Sequence, residues 1–342
     1  MIETPPALPM PSRFRSKIGQ AMARTTKTVK FVTLYANPYH LAVLAKMSTL
    51  GQLDLVQLEF PYVLPEGILS KLSGVPLVLD QHGVEVDFVR ELASSMGVKL
   101  SRADLLRVFL IESVAVKLAS LVLCCSQQDL QRMSSIYGGG EQKYALVENG
   151  VDESFFEWVE PYHFRRRTVL YVGSFDHAPN RHAISWILTE IAPRVRRAVP
   201  EVQFAFVGST KWTTPPLLER ALVFTNIPDI RPFIRGANVA LSTVLRGSGT
   251  RMKTLEYLAC GAPVVSTTKG VEGYDLRPGT DLVVADDTDG VADSIIELLK
   301  MPERARDMGL RGQQTVRDKY TWKDIVHKSR GIYERLLDRR YS

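Results

Sequence analysis

The 342-residue sequence predicts an α/β protein with two Rossmann-like, doubly wound parallel-sheet domains facing a cleft. Three observations carry that prediction. From residue 54 onward, short β-branched runs alternate with helical stretches, the pattern of parallel strands covered on both faces. The polar segment "EPYHFRRR" at 160–167 divides the alternation into two series. A chain of this length, 45% apolar, exceeds the range over which a single core keeps growing.

The elements follow in order. Residues 1–30 form an irregular leader with four prolines, Pro5, Pro6, Pro9 and Pro11. In it Phe14, Ile18, Ala21 and Met22 share one helical face, with Arg13, Arg15, Lys17 and Arg24 on the others. Such a helix can lie on anionic lipid or dock on its own domain. The first domain, 31–155, continues from the strand "TVKFVTLY" through "LDLVQLEF", the helix "GILSKLSG", "PLVLDQHG" and a long helical stretch from about 85 to 119. It ends with "LVLCCS", a helix opened by Ser126 and Asp129 as in a capping box, and "YALVENGVD", with a turn at Asn149-Gly150. The second domain, 168–320, opens with "TVLYVGS" and a helix striped by Ile184, Ile187, Leu188, Ile191, Val195 and Val199. "VQFAFVGS", "ALVF", "NVALS", a helix within 245–265, "PVVST", "DLVVA" and the helix "GVADSIIELLK" complete it. Thr321 and Asp324 cap a last helix, 321–342, expected to pack back on the first domain through Ile325, Ile332, Tyr333, Leu336 and Leu337.

Charge and cysteine usage narrow the function classes. The first thirty residues hold six cations against Glu3 and so most of the net charge of +6, which leaves a nearly neutral body without the footprint of a nucleic-acid binder. Three cysteines, Cys124, Cys125 and Cys260, fit a reducing cytoplasmic compartment. No signal-peptide h-region occurs, and no apolar run approaches the roughly 20 residues of a membrane helix. The expected location is cytoplasmic, with peripheral contact at the inner membrane face open to the basic N-terminus.

Ligands of open α/β sheets bind at the carboxyl ends of strands, so the strand-end loops are where chemistry is sought. "LRGSGTRMKTLEYLACGAPVV" at 245–265 is the richest. Gly247 and Gly249 permit close backbone approach, and a helix N-terminus with Arg251 and Lys253 nearby suits a diphosphate. Glu256 lies seven residues past Gly249, two helical turns on, so both are expected to look out from one face, where a carboxylate can accept two hydrogen bonds from a ribose diol. The plain alternative is a Lys253–Glu256 i,i+3 surface pair, worth ~0.2–0.5 kcal/mol. Other strand ends offer His82 and Glu85 in "DQHGVE", Asn149, Gly150 and Asp152 in "ENGVD", and Gly173 and Ser174 in "YVGS". His177 and His182 read as surface residues, and Asn149-Gly150 serves a tight turn as readily as a ligand. No strand is followed by G-x-G-x-x-G, no His, Asp or Cys cluster has metal-ligand spacing, and no carboxylate pair suited to double displacement is identifiable.

Taken together, "VENGVD", "LYVGSFDHAPN", "GSGTRMKTLEYLACGAPVVSTTKGVEG" and "YTWKDIVHKSRGIYERLL" resemble the family 4 glycosyltransferases, retaining GT-B enzymes, and most closely the bacterial group 1 type, over about residues 54–340. The resemblance implies transfer of a sugar from a nucleotide-sugar donor, such as a UDP- or GDP-sugar, to an acceptor hydroxyl with retention, in cell-envelope polysaccharide or glycolipid synthesis. The implied route is front-face and metal-independent, the leaving phosphate helping to deprotonate the acceptor, with no cofactor beyond the co-substrate. Glu256 then holds the ribose, His82 lies near the transferred sugar, and Gly173, Ser174, Gly247, Ser248, Gly249 and Thr250 line the donor site. The sequence departs from the family where Ser248 replaces the first Glu of Glu-x7-Glu, and where Ser174 and Pro179 replace the Arg and Lys after the "YVG" strand. Arg251 and Lys253 are expected to take over the cationic role. About 53 residues precede the "DLVQLEF" segment, so the first domain is expected to be abbreviated. The acceptor stays open, a lipid-linked one being compatible with the basic N-terminus. A catalytically inactive sugar-nucleotide-binding protein and a sugar-nucleotide epimerase on the same fold are the alternatives.

Overall fold

The computed structural model describes residues 38–95, 99–210, 221–245 and 249–341. The basic leader, the expected strand "TVKFVTLY", Gly247 and Ser248 lie outside them. Contacts divide the chain into two compact units, one holding the described residues up to Asp80 together with Leu100–Ser120, the other Gln81–Lys99 together with everything from Leu121 onward.

The first unit begins with α1 (Pro38–Thr49), β1 (Val56–Glu59), α2 (Leu64–Leu72) and β2 (Leu77–Gln81). β1 and β2 are parallel, with Leu58 opposite Leu79. Leu77, Val78 and Leu79 are wholly buried, as a parallel strand covered on both faces requires. Gly67 brings α2 onto the strands, since a Cβ there would stand 2.7 Å from Leu58 Cδ1 and 2.8 Å from Leu77 Cδ1. The single helix expected over 85–119 is corrected to two, α3 (Glu85–Ser95), which belongs to the second unit, and α4 (Arg102–Leu118). The break is chemical: Ser101 Oγ accepts from the Asp104 N–H at 3.1 Å while the Asp104 carboxylate accepts from the Ser101 N–H at 3.3 Å, a capping box that starts a new helix.

In the second unit β3 (Leu121–Cys124) pairs in parallel with β4 (Tyr144–Leu146), and α5 (Gln127–Tyr137), capped by Ser126, lies between them in sequence. A separate parallel sheet contains β5 (Thr168–Val172), β6 (Gln203–Gly208), β7 (Leu222–Thr225), β8 (Val239–Ser242), β9 (Val264–Ser266) and β10 (Val283–Val284), in the spatial order β10-β9-β8-β5-β6-β7. The chain therefore winds outward from β5 to one edge and then from β8 to the other, and the order reverses between β5 and β8. Residues of β5 alternate between two cores. Val169 and Tyr171 join Phe204, Phe206, Ile187 and Ile191 on one face; Leu170 and Val172 join Val207, Leu255 and Leu258 on the other.

The helices of this unit are α6 (Ala178–Trp186), α7 (Ala192–Ala198), α8 (Arg231–Gly236), α9 (Met252–Ala259), α10 (Thr268–Val271), α11 (Thr288–Lys300), α12 (Pro302–Lys319) and α13 (Trp322–Tyr341). The apolar stripe from Ile184 to Val199 is one helical path with a π turn at Ile187–Ile191. Pro193, which lacks an N–H, stands just beyond that turn, where the wider winding relieves the ladder. The sequence reading passed over α12, a polar helix that packs through small residues. Cβ atoms at Gly309 and Gly312 would run into the Gly261 carbonyl and Leu258 Cδ2, respectively. The expected turn at Asn149-Gly150 is corrected as well. The segment runs on into a bridge between Val151 and Thr321, where a Cβ added at Gly150 would stand 3.0 Å from Trp322 at the start of α13. Thr321 caps α13 through the Asp324 N–H, and Lys328 pairs with Glu148. The three cysteines are buried and free. Among the described residues no helix is long and apolar enough to cross a membrane.

Candidate functional site

The reversal between β5 and β8 places the residues after both strands at one crevice, within the second unit. After β8 the chain enters α9 through Gly249 and Thr250, with Arg251 at the N-cap. Gly249 has φ +72°, and a Cβ on it would lie 2.5 Å from the His82 carbonyl oxygen, so backbone conformation and space both demand glycine. His82 thus meets the loop through its main chain while its side chain is exposed. The same carbonyl accepts from Cys125 Sγ at 3.5 Å. Because α9 starts only at Met252, the two-turn spacing from Gly249 to Glu256 does not hold; Gly249 precedes the helix and Glu256 lies in its second turn.

Lys253 projects from the first turn of α9 toward the end of β5. Its Nζ donates to Tyr171 Oη and to Asn180 Oδ1, both at 2.9 Å, and lies 4.1 Å from the Tyr171 ring centre. Tyr171 Oη donates to the same Asn180 oxygen at 2.8 Å, and Asn180 Nδ2 donates to the Ser174 carbonyl at 3.0 Å. Gly173 makes room for this knot: a Cβ there would stand 2.7 Å from Asn180 Nδ2 and 3.0 Å from Lys253 Nζ. Every partner of the ammonium is neutral. Burial, reinforced by the Arg251 charge, lowers the Lys253 pKa to about 7, while Glu256 pulls the other way. Arg251 Nη1 donates to the Gly249 carbonyl at 3.0 Å, and burial lowers the pKa of its guanidinium, opposed by Glu272 and Glu91.

The Glu256 carboxylate has no hydrogen-bond partner among the described residues. Burial raises its pKa and Lys253 counters. No ion pair within 4.0 Å joins it to Lys253, whose Nζ is turned to Tyr171 and Asn180. The i,i+3 surface pair is therefore not what holds these two residues.

Thr250 Oγ1 accepts from Asn149 Nδ2 at 2.6 Å, and its methyl fills the space beside Gly273, where a Cβ would lie 2.5 Å away. Asn149 thus fixes the glycine loop from the 149–150 segment. His177, the N-cap of α6, is exposed, yet its pKa is lowered by burial and then by the charges of Arg251 and Lys253, which puts it near both cations. Sequence reasoning missed Tyr171 and Asn180 at this crevice, while His177, read as a surface residue, is exposed.

On its other side Gly249 borders a groove of about 410 Å³ lined by α3, α5 and α10 residues. Here Arg132 donates to Asp87 through Nε at 2.8 Å and Nη2 at 3.2 Å, Arg90 lies 3.4 Å from Asp87, and Lys269 lies 2.5 Å from Glu272 and 4.0 Å from Glu91. Each of these cations has a carboxylate.

A doubly wound sheet with a glycine-bounded, cation-lined crevice at its reversal point defines a class, the α/β proteins whose ligands lie at the carboxyl edge. Comparison with known proteins is more specific. Residues 166–301 match the family described as "Glycosyl transferases group 1". The chain is 27% identical over 232 residues to a GDP-mannose-dependent monoacylated alpha-(1-6)-phosphatidylinositol monomannoside mannosyltransferase of Corynebacterium glutamicum, over 61% of this chain and 60% of that one. It spans between 22% and 60% of the length of the curated relatives it matches. Among solved structures it resembles a glycosyltransferase from Rickettsia africae, with TM-score 0.68 and 13% identity over 94% of this chain and 87% of that one. It also resembles an Anabaena protein solved in complex with UDP-glucose, with TM-score 0.65 and 15% identity over 88% and 82% of the two chains. These likenesses fix the fold as GT-B.

Proposed function

We propose that the chain is a family 4, hexosyltransferase-like enzyme that moves a sugar from a nucleotide-sugar donor to an acceptor hydroxyl with retention and without a metal. One observation supports the reading: at the sheet's reversal point, a partly buried carboxylate without a hydrogen-bond partner among the described residues, Glu256, stands on the same helix as Lys253, whose ammonium donates to neutral acceptors, with Arg251 at that helix's N-cap. The Glu256 carboxylate accepts from both ribose hydroxyls, and Arg251 and Lys253 face the diphosphate, which needs cationic compensation in a low-dielectric crevice. Gly173, Ser174, Gly249 and Thr250, with Gly247 and Ser248 beyond the described residues, surround the donor, and His82 lies toward its sugar. The groove beside Gly249 receives the acceptor.

In the reaction the bond between the anomeric carbon and the phosphate oxygen breaks while the acceptor oxygen bonds that carbon on the same face. The acceptor proton passes to the leaving phosphate oxygen. The protein positions both substrates and stabilises the charge growing on the diphosphate. The phosphatidylinositol mannoside in the Corynebacterium relative's name supports a lipid-linked acceptor, hence a cell-envelope role and peripheral membrane placement, and the free buried cysteines support a cytoplasmic location.

Titration calorimetry with UDP- and GDP-sugars, paired with a nucleotide-release assay, tests the reading. Saturable binding, acceptor-dependent release and loss of both in Arg251→Ala but not in Arg330→Ala are expected. Binding without release indicates the inactive binding protein, and an isomerised donor without acceptor dependence the epimerase.

A further inference from the structure

The amino ends of the same strands carry a second charged cavity. Arg167 stands just before β5, Asn238 just before β8 and Pro263 just before β9, and together with the start of α12 they enclose about 260 Å³. This is the edge of the sheet opposite the glycine loop, because every strand in it is parallel.

Three arginines line the cavity, Arg167, Arg235 and Arg306, and no carboxylate does. Arg235 is half-buried and anchored entirely by carbonyls: Nη1 donates to Cys260 at 3.1 Å, and Nη2 to Phe155 at 3.2 Å and Glu157 at 2.7 Å. These acceptors fix the fork and leave its charge uncancelled. Arg306 has no carboxylate within 4.0 Å among the described residues. Arg167 reaches Glu201 at 3.7 Å, with both side chains about half exposed, a pairing that contributes little. Other arginines of this unit behave differently. Arg132, Arg194, Arg231 and Arg277 each hold an aspartate at 2.6–2.8 Å. Pro302 opens the 18-residue α12 at the cavity wall, so the positive end of that helix adds to the same field.

We infer that this cavity binds a phosphate monoester at a site separate from the donor crevice. Guanidinium forks match phosphate oxygens in pairs, and cations lining one cavity with no acid among them relieve their mutual repulsion by taking a dianion. A volume under the roughly 300–1,000 Å³ of drug-sized sites selects a small group, a phosphorylated metabolite or a phosphate-bearing lipid headgroup, over a whole nucleotide.

The test is calorimetric titration of the full chain with inorganic phosphate and with glycerol 3-phosphate, excess UDP and GDP being present to occupy the donor crevice. In Arg167→Ala/Arg306→Ala, a change at two exposed side chains, affinity for both probes is expected to fall at least tenfold while the unliganded melting temperature stays unchanged. Sedimentation with phosphatidic acid vesicles against phosphatidylcholine vesicles then separates the sources. Pelleting with the former that the double variant loses marks a headgroup site, and glycerol 3-phosphate binding without pelleting marks a soluble metabolite. Equal phosphate affinity in wild type and double variant, or no saturable binding at all, overturns the inference.

Discussion

The two sides of Gly249 treat their cations in opposite ways. Toward β5, Lys253 donates to a phenol and an amide oxygen, both neutral. In the groove formed by α3, α5 and α10, Arg90, Arg132 and Lys269 each meet a carboxylate. Neutral acceptors position a cation without cancelling its field, whereas carboxylates do both. The proposed function accordingly assigns the first side to an anion such as a diphosphate and the second to a neutral, hydroxyl-rich partner.

The largest disruption comes from removing the boundary itself. Gly249→Val drives a side chain into the His82 carbonyl at a residue with φ +72°. The loop then shifts by a distance comparable to the clash, and a misplacement of about 1 Å costs roughly 100-fold in rate. We expect nucleotide release to fall by at least that factor with the melting temperature lowered, whereas an enzyme that kept its turnover would show that Gly249 borders no active crevice. Glu256→Ala comes next. Removing hydrogen bonds to a charged group costs about 1.5–3 kcal/mol, or roughly 10–150-fold in donor affinity. The discriminating measurement compares UDP with its 2′,3′-dideoxy form. Wild type should prefer the full ribose and Glu256→Ala should not; a preference that survives the substitution places the ribose elsewhere.

The pH dependence of donor binding probes the neutral-acceptor side. With a free-state Lys253 pKa of about 7, the ammonium is largely deprotonated above neutrality, and a bound diphosphate restores its proton. Binding then takes up a proton, so affinity falls as pH rises through 7, by up to about tenfold per unit. Glu256, its pKa raised by burial, sets an acid limb because protonation costs its acceptor capacity for the diol. A bell-shaped profile that loses its alkaline limb in Lys253→Met is expected. A limb that persists in the variant assigns it to another group.

Much of the fold was legible because its strands are β-branched runs, as in Thr168–Val172 and Gln203–Gly208. Two helical features were not. The break at Ser101 depends on a capping box within a polar segment, and α12 buries only Met308 and Val316 as large apolar residues among the small Ala305, Gly309 and Gly312, which leaves a thin apolar stripe. At the crevice the sequence pointed to Gly249, Arg251, Lys253 and Glu256 through their shared loop and helix. The Tyr171 and Asn180 that hold Lys253 were invisible, since their approach follows from β5 and β8 pairing across 70 residues of chain. Asp87 and Arg132, 45 residues apart, were hidden for the same reason.

Those paired residues give the smallest effect and the sharpest contrast. Hydrogen bonding to Arg132 holds the Asp87 carboxyl below its ordinary pKa, against the opposing effect of burial. Both side chains are partly exposed, so the pair contributes about 0.2–1 kcal/mol and no more. Since the folded-state pKa is the depressed one, that contribution is full above the unfolded value and is lost as pH falls through the folded one. Asp87→Asn should therefore lower the melting temperature slightly at pH 7 and converge with wild type in acid. It should raise the acceptor KM, because Arg132 is left uncompensated in the groove proposed to receive the acceptor, while donor affinity stays unchanged. Equal weakening of donor and acceptor in this variant would mean that the two sides of Gly249 act as one site rather than two.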